Sequence, residues 1–142
     1  AMSCAYYLAL AGCKVSIFAI ESQPGGKLLE KAAANPRLQA ALQRDIEGIL
    51  ANGVTFMGSC EPLQETVLVQ MRKQYSCVYI TKDQLLNPLG SDAPASLSGP
   101  DANSAGLFIG EESLINGISV VEGVAIGRRA ALESFQYLNL PA

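Results

Sequence analysis

The residues best suited to chemistry in this sequence are few. They are a Pro24-Gly25-Gly26 turn, an acidic pair at Glu111 and Glu112, and four cysteines at positions 4, 13, 60 and 77. The adjacent basic pairs are Arg72-Lys73 and Arg128-Arg129. A turn with two glycines lets backbone approach whatever lies beside it, because no Cβ intervenes. No two cysteines have the Cys-x-x-Cys spacing, so a zinc or iron–sulfur site made by this chain alone is not expected. Buried free thiols in a reducing, cytoplasmic compartment are the plain reading. The sequence contains no histidine. Ser-His-Asp and Cys-His catalysis therefore cannot be assembled from it, nor can a histidine-based metal site.

The glycine turn gains meaning from the elements ahead of it. Residues 2–11, rich in Ala, Leu and Tyr, read as a largely buried helix, and Gly12 stands where a helix C-cap would. Lys14 to Ile20 reads as a strand buried on both faces, since Val15, Ile17, Phe18 and Ile20 are nearly continuous. Helix, glycine, strand and glycine-rich turn form the second half of a β-α-β nucleotide-binding unit.

Further along, Asn35-Pro36 opens a helix in which Leu38, Leu42, Ile46, Ile49 and Leu50 recur at helical spacing. Asn52-Gly53 closes it, and Val54 to Met57 forms a short strand. Pro62 to Lys73 fits a helix through Leu63, Val67 and Met71, while Thr66 to Val69 tolerates a strand. Ser76 to Thr81 is a strand. Residues 82–105, rich in Pro, Gly, Ser and Asp, read as a loop longer than is usual in a compact domain. A short strand at Gly106 to Ile109, a turn at Gly110-Glu111-Glu112 and a helix from about Ile118 to Leu138 complete the chain. That helix has an expected apolar face of Val121, Val124, Ala131, Phe135 and Leu138. Gly123 and Gly127, one turn apart within it, predict close packing there, because each weakens a helix interior by up to ~1 kcal/mol.

The chain has 142 residues, of which 49% are apolar, and a net charge of −3. That suits a single domain with a real core. The acidic balance argues against a nucleic-acid partner. No apolar run approaches the ~18 residues of a membrane span, and no secretory leader is recognisable, so no membrane association is expected.

The segment Cys-Ala-Tyr-Tyr-Leu-Ala-Leu-Ala-Gly-Cys-Lys-Val-Ser-Ile-Phe, followed by Gln-Pro-Gly-Gly, resembles the FAD-binding start of the glutamate synthase small-subunit-like flavoproteins. These belong to the pyridine nucleotide-disulfide oxidoreductases. Arg37 to Leu50 with Gly53-Val54-Thr55-Phe56 is similar to that family's next segment, and Tyr75 to Thr81 to the strand closing its first FAD segment. Leu107 to Glu112, then Ser119 to Ala131 with its Gly-Arg-Arg-Ala-Ala run, is similar to its C-terminal FAD segment. The resemblance implies an α/β fold, a Rossmann-like parallel sheet flanked by helices. It implies one FAD-binding-like domain over residues 1–142, with loop 82–105 in place of the NAD(P)H domain. The implied cofactor is FAD, and the implied reaction is electron transfer from NAD(P)H through FAD. The implied cofactor contacts are the backbone of Gly25, Gly26 and Lys27, Arg37 within one residue of alignment, Glu112 on the ribityl chain, and Ser119 and Val120 at the start of the last helix. No catalytic residue is implied.

The departures from that pattern are specific. The family's first strand and its G-x-G-x-x-G loop are missing from these 142 residues, so the sheet is incomplete and the pyrophosphate cradle is lacking. Ala19 stands where an acidic residue holds the adenosine ribose, with Glu21 two residues later. Glu111 stands where the family has glycine. A lost ribose carboxylate costs roughly 1.5–3 kcal/mol as a charged hydrogen bond. With the lost phosphate contacts, FAD binding would weaken by several powers of ten, since each ~1.4 kcal/mol is tenfold. Hydride transfer by this chain alone is therefore not expected. The sheet would be closed by rearrangement or by a strand from another copy or a partner chain. The alternative function is a non-catalytic remnant that no longer binds FAD and serves as a structural or interaction domain. Each motif also has a plainer reading: the glycines as a turn or as packing positions, and the charges as a solvated surface.

Overall fold

In a computed structural model, residues 1–61, 63–81, 106–110 and 119–139 are described, with Glu65 and Ile109 described in their backbone only. Loop 82–105 and the turn residues Glu111 and Glu112 lie outside the described residues. The described elements are α1 (Met2–Leu10), β1 (Val15–Phe18), α2 (Gly26–Ala32), α3 (Pro36–Ala51), β2 (Val54–Met57), α4 (Glu65–Gln74), β3 (Val78–Thr81), β4 (Leu107–Gly110) and α5 (Val120–Leu138). The molecule is thus mixed α/β. Its described strands form two parallel pairs, β1 with β2 and β3 with β4. The chain divides into two compact units, chiefly residues 4–61 and 62–142.

In the first unit, β1 and β2 run in parallel with Val15 opposite Val54 and Phe18 opposite Met57. Parallel neighbours need a crossover connection, and α2 and α3 provide it. Helix α3 begins where expected. The side chain of Asn35 accepts hydrogen bonds from the backbone N–H of Arg37 (3.1 Å) and Leu38 (3.3 Å), and Pro36 occupies the first turn. Asn52 ends the helix by donating its side-chain amide to Gly48 O at 2.7 Å. Gly53, at φ +90°, then turns the chain into β2. Helix α3 packs on β2 and on α2. Beyond the strands the pairing continues, with Ala19 N–H donating to Met57 O and Ser59 N–H to Glu21 O. The backbone is so close here that a Cβ on Gly58 would lie 2.6 Å from Ser22 O.

In the second unit, β3 and β4 pair in parallel with Val78 opposite Leu107 and Ile80 opposite Ile109. Leu68 of α4, Ile80 and Leu107 form the buried cluster, with Leu63 and Val78 against it. From Glu65 onward this stretch is helical, as α4, which resolves the two readings open in the sequence. Helix α5 packs on β4 and buries Gly127, Ala130, Ala131, Ser134 and Phe135. Ser134, fully buried, donates its hydroxyl to Ala130 O at 2.8 Å and accepts from the Cys77 thiol at 3.4 Å.

Several expectations require correction. The strand expected over Lys14 to Ile20 is shorter, Val15–Phe18, and is not buried on both faces: Phe18 is 36% exposed, and Ile20, beyond its end, 42%. In α1 only Cys4 and Ala5 are buried. The expected apolar face of α5 is covered at Ala131 and Phe135 but not near its start, where Val121 and Val124 face solvent, and an added Cβ at Gly123 would meet nothing within 4 Å. Of the four free cysteines, only Cys4 is buried. In each case the local pattern was apolar, but burial depends on which element covers the residue. The short helix α2 is not evident in the sequence, because Gly25-Gly26 at its start masks the helical pattern of Lys27 to Ala32.

Candidate functional site

The glycine turn lies just beyond the carboxyl end of β1, the end at which open α/β sheets take ligands. Gly25 has φ +118° and Gly26 φ +50°. Both values favour glycine, because a Cβ is crowded in the left-handed region. At Gly25 a Cβ would also come within 3.2 Å of both Ile46 Cδ1 and Leu29 Cβ. The turn is therefore pressed against α3. Gly25 O accepts the first hydrogen bonds of α2, from the N–H of Leu28 at 3.2 Å and Leu29 at 3.4 Å.

Beside this turn is an open cavity of about 370 Å³ lined by Gln23, Pro24, Leu29, Gln43, Ile46, Glu47 and Leu50. Its lining combines four apolar side chains with two amides and one carboxylate. Gln43 donates its side-chain amide to Glu47 at 3.0 Å. Four of these residues, Gln43, Ile46, Glu47 and Leu50, come from one face of α3 by their i, i+3, i+4, i+7 spacing. That spacing was legible in the sequence, but only the tertiary packing opposes it to the turn.

The expected cofactor contacts are placed as follows. Gly25, Gly26 and Lys27 are contiguous at the start of α2, with Lys27 exposed. Arg37 is exposed in the first turn of α3. None of these four lines the cavity. Glu112 lies outside the described residues. Ser119 and Val120 belong to the second unit. There Ser119 is the N-cap of α5 in a reciprocal capping box. The Ser119 N–H donates to the Glu122 carboxylate at 2.8 Å, and the Glu122 N–H donates to Ser119 Oγ at 3.2 Å. The hydrogen bond from the Ser119 backbone, then that with its side chain, holds the Glu122 carboxyl below the usual glutamate range. This helix start thus already holds a carboxylate of its own. The Ser119-x-x-Glu122 pattern is the sequence signature of such a box.

Among the described residues no group of three or more His, Cys, Asp or Glu could hold a metal ion. No described helix is long and apolar enough to cross a membrane. No protein-family profile, curated protein or solved structure matches this chain.

Proposed function

We propose that this chain is a FAD-binding-type oxidoreductase scaffold of the glutamate synthase small-subunit-like kind, and that on its own it holds FAD only weakly. The observation that carries this reading is the Pro24-Gly25 turn with its recess, set after the carboxyl end of a parallel strand of a β-α-β unit. In the intact family, FAD supplies the redox chemistry between NAD(P)H and an acceptor. The fit of these residues to FAD is partial. A volume of about 370 Å³ is near the lower end of ligand pockets, roughly 300–1,000 Å³. It suits one ring system of a dinucleotide, with Gln23, Gln43 and Glu47 orienting its polar edge. The phosphates are not provided for: no G-x-G-x-x-G loop occurs in the sequence, and the α5 N-terminus carries Glu122. Among the described residues both strand pairs are two strands wide, and a strand from another copy or a partner chain would complete such an edge.

Visible absorption of the purified chain, followed by FAD titration with light scattering on the same sample, tests the reading. The expected outcome is a colourless protein that quenches FAD fluorescence only at high micromolar FAD or above, and that self-associates or binds a partner chain. Flavin bands near stoichiometry on a monomer would overturn the weak-binding claim. Complete indifference to FAD would favour a second reading, a non-catalytic structural or interaction domain, for which the Glu122 carboxylate at the helix start already speaks.

A further inference from the structure

Asn52-Gly53 does more than end α3: it carries the groups that a self-modifying site requires. An asparagine side chain is thermolabile. When the backbone nitrogen of the next residue attacks its Cγ, a five-membered imide forms. A following glycine leaves that nitrogen unshielded, because it has no Cβ. The sequence has this pair at 52–53 and at 116–117, and the second lies outside the described residues. Asn52 and Gly53 are both exposed, and an added Cβ at Gly53 would meet nothing within 4 Å. Water and base therefore reach the reacting atoms.

The fold holds both reacting groups in hydrogen bonds. The Gly53 N–H, whose proton must leave before the attack, donates to Leu50 O at 3.1 Å. The Asn52 side-chain nitrogen Nδ2, the leaving group, donates to Gly48 O at 2.7 Å. The Asn52 backbone N–H donates to Ile49 O at 3.2 Å. The pair is thus drawn back onto the last turn of α3. Helix ends are where opening costs least, and the reaction waits on that opening.

The product cannot rebuild the cap. An aspartate carboxylate only accepts hydrogen bonds at neutral pH. It would face the Gly48 carbonyl oxygen and add a negative charge at the negative end of the helix. An isoaspartate also routes the main chain through the side chain, which adds one carbon between α3 and Val54. Val54 is buried and opens β2 opposite Val15, so the added length falls where the register of that strand pair is set.

We propose that Asn52 is a deamidation site, held back by the α3 C-cap in the folded chain, whose conversion removes that cap irreversibly. The Gly53 nitrogen, its proton passed to solvent base, bonds to Asn52 Cγ. The Cγ–Nδ2 bond breaks and the side-chain nitrogen leaves as ammonia. Water then cleaves one of the two imide C–N bonds, giving aspartate or isoaspartate with no change of oxidation state. The site does not depend on the flavin reading.

Incubation of the 142-residue chain in mildly alkaline buffer, folded and in guanidinium chloride, tests it by site-resolved mass spectrometry of the peptide holding Asn52-Gly53. Conversion of Asn52, with isoaspartate told from aspartate by fragmentation, is expected in both states. It should be at least about tenfold slower in the folded chain, the equivalent of the two hydrogen bonds that must open. Asn52→Asp reproduces the charge of the product. It should keep the fold by circular dichroism, while amide exchange at Asn52 and Gly53 quickens roughly fivefold, the equivalent of one ordinary hydrogen bond. Equal conversion rates in the two states, no conversion of Asn52 in the folded chain, or wild-type exchange in Asn52→Asp would overturn the proposal.

Discussion

The units 4–61 and 62–142 are each built on one parallel strand pair with helices packed on it, yet they fill their interiors differently. In the first, the buried apolar residues include Cys4, Ala5 and Ala32 alongside Ile46 and Val54, and β1 leaves Val15 and Ile17 only half-buried. In the second, Leu68, Ile80, Leu107, Phe108 and Phe135 are all buried. Burial contributes roughly 25 cal/mol per Å² of apolar surface, so larger buried side chains contribute more per strand pair. The comparison teaches that equal topology does not mean equal stability. Two-stranded sheets are marginal by themselves, and what covers them decides the outcome.

The largest expected effect probes that difference directly. Leu107 is 0% exposed, and Leu107→Ala should cost about 2–5 kcal/mol through lost transfer energy and a residual cavity. Hydrogen exchange should show the loss mainly in the amides of β3, β4 and α5. Equal loosening of β1 and β2 would mean that the two units unfold as one.

A smaller effect is expected in the first unit, where backbone approaches backbone closely at Gly58. Gly58→Ala would set a Cβ 2.6 Å from Ser22 O and 2.7 Å from Glu21 O. Overpacking of this kind costs about 1–3 kcal/mol, measurable by urea denaturation. Wild-type stability in this variant would show that the segment 19–22 yields freely, and the contrast between the units would then sharpen.

The smallest effect concerns the α5 cap. Because hydrogen bonding lowers the Glu122 pKa in the folded chain, its contribution is present above the usual glutamate pKa and is lost as pH falls through the lowered folded value. The first turn of α5 should therefore fray in acid, seen as faster exchange at Gly123 and its neighbours. Glu122→Gln should flatten that acid dependence. An acid profile identical in the two proteins would remove Glu122 as its source.

Much of the local structure was legible in the residues. Asn35-Pro36 and Asn52-Gly53 bracket α3 because caps and breakers act on their immediate neighbours. Short runs such as Val54 to Met57 and Ser76 to Thr81 announced strands, the second of which forms only from Val78. The recess beside Pro24 was only half legible. Its turn was visible, while nothing local set Gln43 and Glu47 of α3 beside it. Likewise, nothing local revealed that the Gly106 backbone and the Tyr137 ring would meet.

The amino-acid order by itself determined where elements with clear caps and breakers lie, α3 and β2 above all, since capping and turn geometry are settled within a few residues. The tertiary structure alone decided that the described strands form two parallel pairs, that β1 stays half exposed, and that α5 turns Val121 outward. The reason is physical: burial and pairing arise between residues far apart in the chain, and an apolar side chain carries no record of which distant surface will cover it.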